Sequence, residues 1–232
     1  MVPKLILMFT LNDTTVPDAL NYFEQVKDLP VDFFGFKELG LPLQKMQELN
    51  NRIHKAGFKS FLEVVEYDED KILGPAQQSI DMGFDYLMGT IYYPSIWDIV
   101  GKGSKKKINY FPFLGKIYDR PSILDGSIDE IVAQGKRLVK EGADGFDLLL
   151  YRYKYADKID ALIKSCVSEI KSSIVSAGSI NNWERLQATI DQKVWGFTIG
   201  GAFFEKKFVP DGTYRDNVKA VVDYLKKADR DK

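Results

Sequence analysis

Short apolar runs and longer amphipathic stretches alternate along the whole chain. The apolar runs are "KLILMFT", "DFFGFKEL", "KSFLEVVEY", "FDYLMGTIYY", "INYFPFL", "GFDLLLYR", "SSIVSAG" and "VWGFTIG". Each is rich in β-branched, aromatic or leucine residues, the signature of a buried strand. Between them, "VPDALNYFEQVKDL", "PLQKMQELNNRIHKAG" and "SIDEIVAQGKRLVKEG" repeat apolar positions at helical spacing, and "DGTYRDNVKAVVDYLKKA" closes the chain. In "HKAGFKSFLEV", "IDMGFDYLMG" and "VKEGADGFDLLL", the helix stops on glycine and a strand follows within a few residues. Glycine accepts the left-handed conformation that ends a helix and turns the chain quickly. Short helix-to-strand connections of one kind predict a parallel sheet covered by helices.

Eight strands alternating with eight helices in 232 residues predict a (β/α)8 barrel, one domain spanning 1–232. The competing architecture is a doubly wound open sheet. It would place a glycine-rich turn after the first strand, where this chain reads "TLNDTTVPDA" with no glycine. "GKGSKKK" at 101–107 is a low-complexity patch, expected as a solvated excursion between the fourth helix and fifth strand.

Composition narrows the class. Acids and bases nearly balance, 33 against 32, so neither a nucleic acid nor a membrane surface is expected as partner. No apolar stretch approaches the ~20 residues that span a bilayer, and "MVPKLILMFTLND" lacks the basic start and cleavage site of a signal peptide. A single cysteine excludes an intramolecular disulfide and fits a cytoplasmic protein. Cys166 falls at helical spacing with Ile159, Leu162, Ile163 and Ile170, and is expected in a buried helix face.

Two apolar runs break on small residues near the end of the chain, at "SAGSI" and "GFTIGGAFF". Backbone N–H groups at a glycine turn or a helix start are unpaired and favour an anion. Gly178 and Ser179 would form one half of a phosphate site; Gly200, Gly201 and Ala202 would form the other. The plainer reading is that these glycines only relieve crowding at tight turns. Their placement after the last two strands of an eightfold pattern favours phosphate.

With these turns the chain resembles the phosphate-binding (β/α)8 barrels, the group holding the ribulose-phosphate-binding enzymes and the keto-deoxy-sugar-phosphate aldolases. The resemblance covers the whole chain as architecture and only the two turns as motif. It implies sugar-phosphate metabolism, with the site at the C-terminal ends of the strands. The group's catalytic sets do not carry over. Epimerases of the ribulose-phosphate type use metal-binding histidines on strands, whereas the single His54 lies on the second helix, expected at the surface. The decarboxylase branch's Asp-x-Lys-x-x-Asp run has no counterpart in "FLEVVEYDED", and the aldolase lysine of strand six is absent from "GFDLLLYRY".

The reaction therefore has to be read from this chain's own strand residues. Charge inside a barrel needs a partner or a purpose. Lys37 shares a face with Phe33 and Gly35, and Glu63 sits mid-strand on the neighbouring strand. They are expected to meet, either as proton-transfer groups beside a carbonyl or as a structural ion pair. Asp147, in mid-strand six, is expected in catalysis or in binding a substrate hydroxyl. Arg152 at that strand's end would grip an anion or form a surface salt bridge. Lys116, after a glycine beyond strand five, would bind an anion, form a Schiff base or remain solvated. Glu63, Glu66 and Asp147 offer oxygens to magnesium, but no spacing signature requires a metal and no cofactor is called for.

The expected function is an isomerase, epimerase or carbon–carbon lyase acting on a phosphorylated sugar or sugar acid through an enediol or enolate. Its partner is that phosphorylated small molecule, with self-association left open. The alternative is a barrel that senses a phosphorylated ligand and has lost catalysis.

Overall fold

The computed structural model describes residues 2–230. Eight parallel strands form its main sheet: β1 (Lys4–Met8), β2 (Phe33–Lys37), β3 (Lys59–Glu63), β4 (Tyr86–Met88), β5 (Asn109–Phe111), β6 (Gly145–Leu148), β7 (Ser173–Ser176) and β8 (Gly196–Ile199). Each pairs with its sequence neighbour except β5 with β6, and β1 also pairs with β8. Asp144 N–H donates to Tyr110 O at 3.1 Å, Asp147 N–H to Pro112 O at 2.9 Å and Leu114 N–H to Asp147 O at 3.1 Å. These bonds join β5 to β6 and close the sheet into the (β/α)8 barrel that the alternation predicts.

The helices are α1 (Ala19–Val26), α2 (Leu43–Lys55), α3 (Glu69–Asp81), α4 (Ile96–Val100), α5 (Ile128–Glu141), α6 (Ile159–Glu169), α7 (Trp183–Asp191), α8 (Gly201–Phe204) and α9 (Tyr214–Arg230). Gly57, Gly83 and Gly142, which stop α2, α3 and α5, all take positive φ, at 89°, 76° and 119°. At its other end α5 carries a reciprocal cap between Ser127 and Glu130. The extra one-turn helix α8 is additional to the eightfold alternation. It follows β8, where many barrels build a phosphate site. No helix among the described residues is long and apolar enough to cross a membrane.

Side chains alternate between two environments. Outward residues such as Leu5, Leu7, Phe34, Phe36 and Leu62 pack under the helices. Inward residues Ile6, Met8, Phe33, Phe61, Met88, Phe111 and Val175 fill the barrel. Its N-terminal end is plugged by aromatics: Phe61 stacks on Tyr86 at 4.1 Å and Phe33 on Trp195 at 5.5 Å, with Lys4 Nζ 4.9 Å above the Trp195 ring. The interior is thus apolar below, which leaves the polar positions for the opposite end. Cys166 is fully buried in α6, and burial pushes its thiol up to about 12. A thiol reagent should therefore leave the native protein unmodified and react only after denaturation, which a mass measurement in each state will show.

Two short hairpins extend the C-terminal ends of strands and escape the apolar pattern. One pairs Thr10–Leu11 with Thr14–Thr15; the other pairs Lys116–Tyr118 with Ile123–Asp125. The first turns at Asn12 and Asp13, with φ of 52° and 60°, a left-handed pair suited to a two-residue hairpin. The strand-like runs are also longer in sequence than in space. "FDYLMGTIYY" yields only Tyr86–Met88, because Gly89 takes φ 85° and turns the chain off the sheet.

Candidate active site at the barrel mouth

The inward face of β2 carries Phe33, Gly35 and then Lys37; that of β3 carries Phe61 and then Glu63. Register places Lys37 opposite Glu63. A Cβ on Gly35 would lie 2.5 Å from Met8 Sδ, so the layer beneath Lys37 is packed full. The ammonium and the carboxylate are forced upward into the mouth, where Lys37 Nζ stands 3.8 Å from Glu63 Oε1. Both residues are buried, at 6% and 9% exposure.

A third partner carries no signal in the apolar pattern of the sequence. Asp13, at the tip of the first hairpin, accepts a hydrogen bond from Lys37 Nζ at 2.9 Å, and Arg152 Nη2 lies 3.9 Å from the same Oδ1. The hairpin is anchored by Thr15, whose hydroxyl donates to Lys37 O at 2.8 Å and accepts from Lys37 N–H at 2.9 Å. Burial works to raise the Asp13 carboxyl, but Lys37 and then Arg152 pull it below its usual value. For Lys37, burial works to lower the ammonium, yet Glu63 and Asp13 together hold it above its usual value. The lysine is thus charged at neutral pH, a form suited to stabilising an oxyanion and unsuited to Schiff-base attack.

Asp147 is the deepest of the charged candidates. It is 0% exposed, neither carboxyl oxygen has a hydrogen-bond partner among the described residues, and it does not form part of the cavity wall. Its position relative to Glu63 is shown by Gly89: a Cβ there would lie 2.8 Å from Glu63 Cγ and 3.5 Å from Asp147 Oδ2. The two acids share the space that Gly89 leaves open. Burial first, and then the charge of Glu63, push Asp147 well above the usual carboxylate range, against Lys37 and Arg152. The fold therefore carries Asp147 as a neutral acid. An unfolded chain ionises it near pH 4. As pH rises from there, the folded state forgoes an ionisation that the unfolded state gains, and stability falls. Asp147→Asn should accordingly raise the melting temperature at pH 7 and change it less at pH 4. The gain grows with pH because only the aspartate forgoes an ionisation in the fold, by up to about 1.4 kcal/mol per pH unit, and each kcal/mol is worth roughly 2–4 °C in a domain this size. Calorimetry of both proteins across pH 4–8 checks this; an equal shift at every pH would contradict it.

The two small-residue turns meet the same cavity. Gly178, Ser179, Gly200, Gly201 and Ala202 line it together with Lys37, Glu63, Asp13 and Arg152; its volume is about 300 Å³. That is the lower end of the range for small-molecule sites. Ser179 takes φ 62°, and its carbonyl accepts from Arg185 Nη1 at 2.6 Å, which fixes the first turn. A Cβ on Gly178 would come within 3.1 Å of Arg152 Nε, so the guanidinium lies directly against that turn. Gly200 caps α8, whose first N–H groups have no earlier carbonyl within the helix. A Cβ at Gly200 would fall 2.4 Å from Thr10 Oγ1, whereas one at Gly201 would meet only Leu11 Cδ1 at 3.7 Å. The first hairpin thus packs directly on the second turn.

Other expectations are placed differently. Lys116 does not reach this cavity: it is exposed in the second hairpin and lines a separate depression with Tyr153, Tyr155 and Lys158. The glycine before it starts that hairpin rather than ending a strand at the mouth. Ser122, in the hairpin's loop, does reach the cavity. That loop is tied across to the β3 side, where Tyr67 Oη donates to Asp119 O at 2.6 Å and Arg120 Nη2 donates to Val65 O at 2.8 Å. Glu66 faces Arg120 at 3.2 Å and does not join Glu63 and Asp147. Among the described residues no group of three or more His, Cys, Asp or Glu side chains is placed to hold a metal ion. His54 is half-buried rather than a free surface group: its Nε2 lies 2.9 Å from Asp85 Oδ2 and 3.2 Å from Ser60 Oγ. Asp85 Oδ2 also accepts Ser60 N–H at 2.9 Å, so the histidine ties α2 to β3.

No protein-family model and no curated protein matches the sequence. Solved structures do match. The 3-hexulose-6-phosphate synthase from Salmonella typhimurium superposes with a TM-score of 0.67 at 16% identity, over 97% of this chain and 99% of that one. KGPDC from Streptococcus mutans gives 0.66 at 14% identity, over 98% and 99%. The N-acetylmannosamine-6-phosphate 2-epimerase from Clostridium perfringens gives 0.60 at 13% identity, over 86% of each chain. At these identities the likeness is one of fold. The chain has the (β/α)8 architecture of these barrels along nearly its whole length.

Proposed function

We propose that the protein is an enzyme acting on a phosphorylated sugar or sugar acid, as an isomerase, epimerase or carbon–carbon lyase that works through an enediol or enolate. One observation carries this reading: Lys37 and Glu63 open into the same cavity as the Gly178–Ser179 and Gly200–Ala202 turns. An anion site and an ammonium–carboxylate pair in one small cavity are the parts such a reaction needs. The names of the structural neighbours, a synthase and an epimerase of phosphorylated sugars, point the same way.

In this mechanism the turns hold the substrate phosphate through backbone N–H groups. Glu63 takes the proton from the carbon next to the carbonyl. The electron pair moves onto the carbonyl oxygen, and the Lys37 ammonium stabilises the oxyanion as it forms. Asp147, neutral and out of reach of solvent, keeps a second carboxylate charge away from Glu63 and its lower face dry. Return of the proton to either face or to the neighbouring carbon distinguishes epimerase from isomerase; cleavage of the adjacent carbon–carbon bond makes a lyase.

A sensor reading is favoured by one feature, that Lys37 is already paired on both sides, by Asp13 and Glu63. A thermal-shift screen against phosphorylated sugars and sugar acids tests both at the level of binding. A true ligand at 100 times its dissociation constant should add roughly 2.7 kcal/mol of stability. If no phosphorylated compound shifts the melt while unphosphorylated analogues do, the phosphate turns are only tight turns.

A further inference from the structure

Lys37 and Arg152 both face one oxygen, Asp13 Oδ1, at 2.9 and 3.9 Å. They come from opposite sides of the mouth, Lys37 from the end of β2 and Arg152 from the turn after β6. Two cations converging on one carboxylate define a binding position for an anionic group. Asp13 is not built in like the residues around it. Its side chain is 39% exposed, against 8% for Lys37 and 12% for Glu63. It sits at the hairpin tip, while the hairpin's fixed points are Thr15 against β2 and Thr10 against the turn at Gly200. Rotation of the Asp13 side chain toward solvent breaks no core contact, and Lys37 then still has Glu63.

From this placement we infer that Asp13 is an internal stand-in for a second anionic group of the substrate, a carboxylate, which displaces it from between Lys37 and Arg152 when it binds. This rests on the reading that the Gly178–Ala202 turns hold a phosphate. The substrate class is then a phosphorylated sugar acid rather than a neutral sugar phosphate. A ligand without the carboxylate leaves Asp13 in place and uses the phosphate turns alone. Asp13 thereby sets specificity: a neutral hydroxyl cannot displace a carboxylate held by two cations, whereas another carboxylate exchanges with it like for like. The cost is affinity, because the correct substrate must compete with a group already present.

The test uses the full chain and Asp13→Asn. Asparagine is nearly the same size and tolerates the φ of 60° at this position, but it is uncharged and cannot compete for the two cations. The probes are 6-phosphogluconate and sorbitol 6-phosphate, which differ at C1 as carboxylate against hydroxymethyl, with inorganic phosphate as a reference. Titration calorimetry should show the variant binding 6-phosphogluconate at least 10-fold tighter than wild type does. Its affinities for sorbitol 6-phosphate and inorganic phosphate should change by no more than about 2-fold. An equal gain for both sugar compounds would reduce Asp13 to a general charge effect and overturn the inference. So would unchanged affinities all round with sorbitol 6-phosphate and inorganic phosphate still bound; in that case the phosphate site stands and only the role of Asp13 falls. Failure of all three probes to bind either protein would remove the phosphate reading and this inference with it.

Discussion

Glu63→Gln should lower turnover by about 10²–10⁴-fold, the range expected for loss of a positioned general base, while leaving the protein folded. The glutamine keeps the shape above Gly89 and a polar oxygen facing Lys37, which retains Asp13 as its charged partner at 2.9 Å. The reverse pattern is what a purely structural pair would give. Removing one member of a buried ion pair costs about 3–5 kcal/mol when the other is left uncompensated. A variant that melts far lower, yet turns over normally per folded molecule, would take Glu63 out of the chemistry. Lys37 has two carboxylate partners rather than one, so the expected stability change is small and the kinetic one large. Melting curves and turnover measured on the same preparation separate the two outcomes.

Gly201→Asp should weaken binding of any phosphorylated ligand by about 100-fold or more. Placing like charges together costs several kcal/mol, and each 1.4 kcal/mol is tenfold in affinity. The position is chosen for its room. A side chain at Gly200 would collide with Thr10 and disturb the hairpin, confusing a local loss with a general one; at Gly201 the nearest neighbour of a Cβ is Leu11 at 3.7 Å. Gly201→Ala is the control and should retain most of the affinity. Titration with inorganic phosphate reads the result directly. Unchanged affinity in the aspartate variant would place the anion elsewhere.

How much was legible in the sequence follows from which signals are periodic. The barrel was, because the strand-like runs are short and rich in apolar residues, and α2, α3 and α5 stop on glycine. Lys37 and Glu63 were legible as a pair because strand alternation and parallel register are both simple rules: counting by two from Phe33 and Phe61 puts both charges inside. Asp147 was legible as an acid in mid-strand six, but its depth was not. That depends on Gly89 and on the closure of β5 onto β6, both set by parts of the fold distant in sequence. Asp13 was not legible. It lies in a polar turn with no apolar pattern, and only the left-handed Asn12–Asp13 tip carries it back over Lys37. Lys116 was misplaced for a related reason: three-residue hairpin strands such as Lys116–Tyr118 are too short to show alternation, so the chain after β5 read as a simple loop. A turn-chemistry signal, Asn-Asp between two threonine-bearing segments, was present for the first hairpin.

The central claim is that this mouth removes a carbon-bound proton beside a carbonyl from a ligand anchored by its phosphate. Solvent exchange tests it without knowing the full reaction. The wild-type protein is incubated in deuterium oxide with the phosphorylated ketose or keto acid that most raises its melting temperature, and the ligand's carbon-bound hydrogens are followed by proton NMR. The expected result is loss of one signal, at the carbon next to the carbonyl, at a rate that falls by about 10²–10⁴-fold in Glu63→Gln. A ligand that binds, protects the fold against heat and keeps every carbon-bound hydrogen would contradict it and leave a barrel that only senses its ligand.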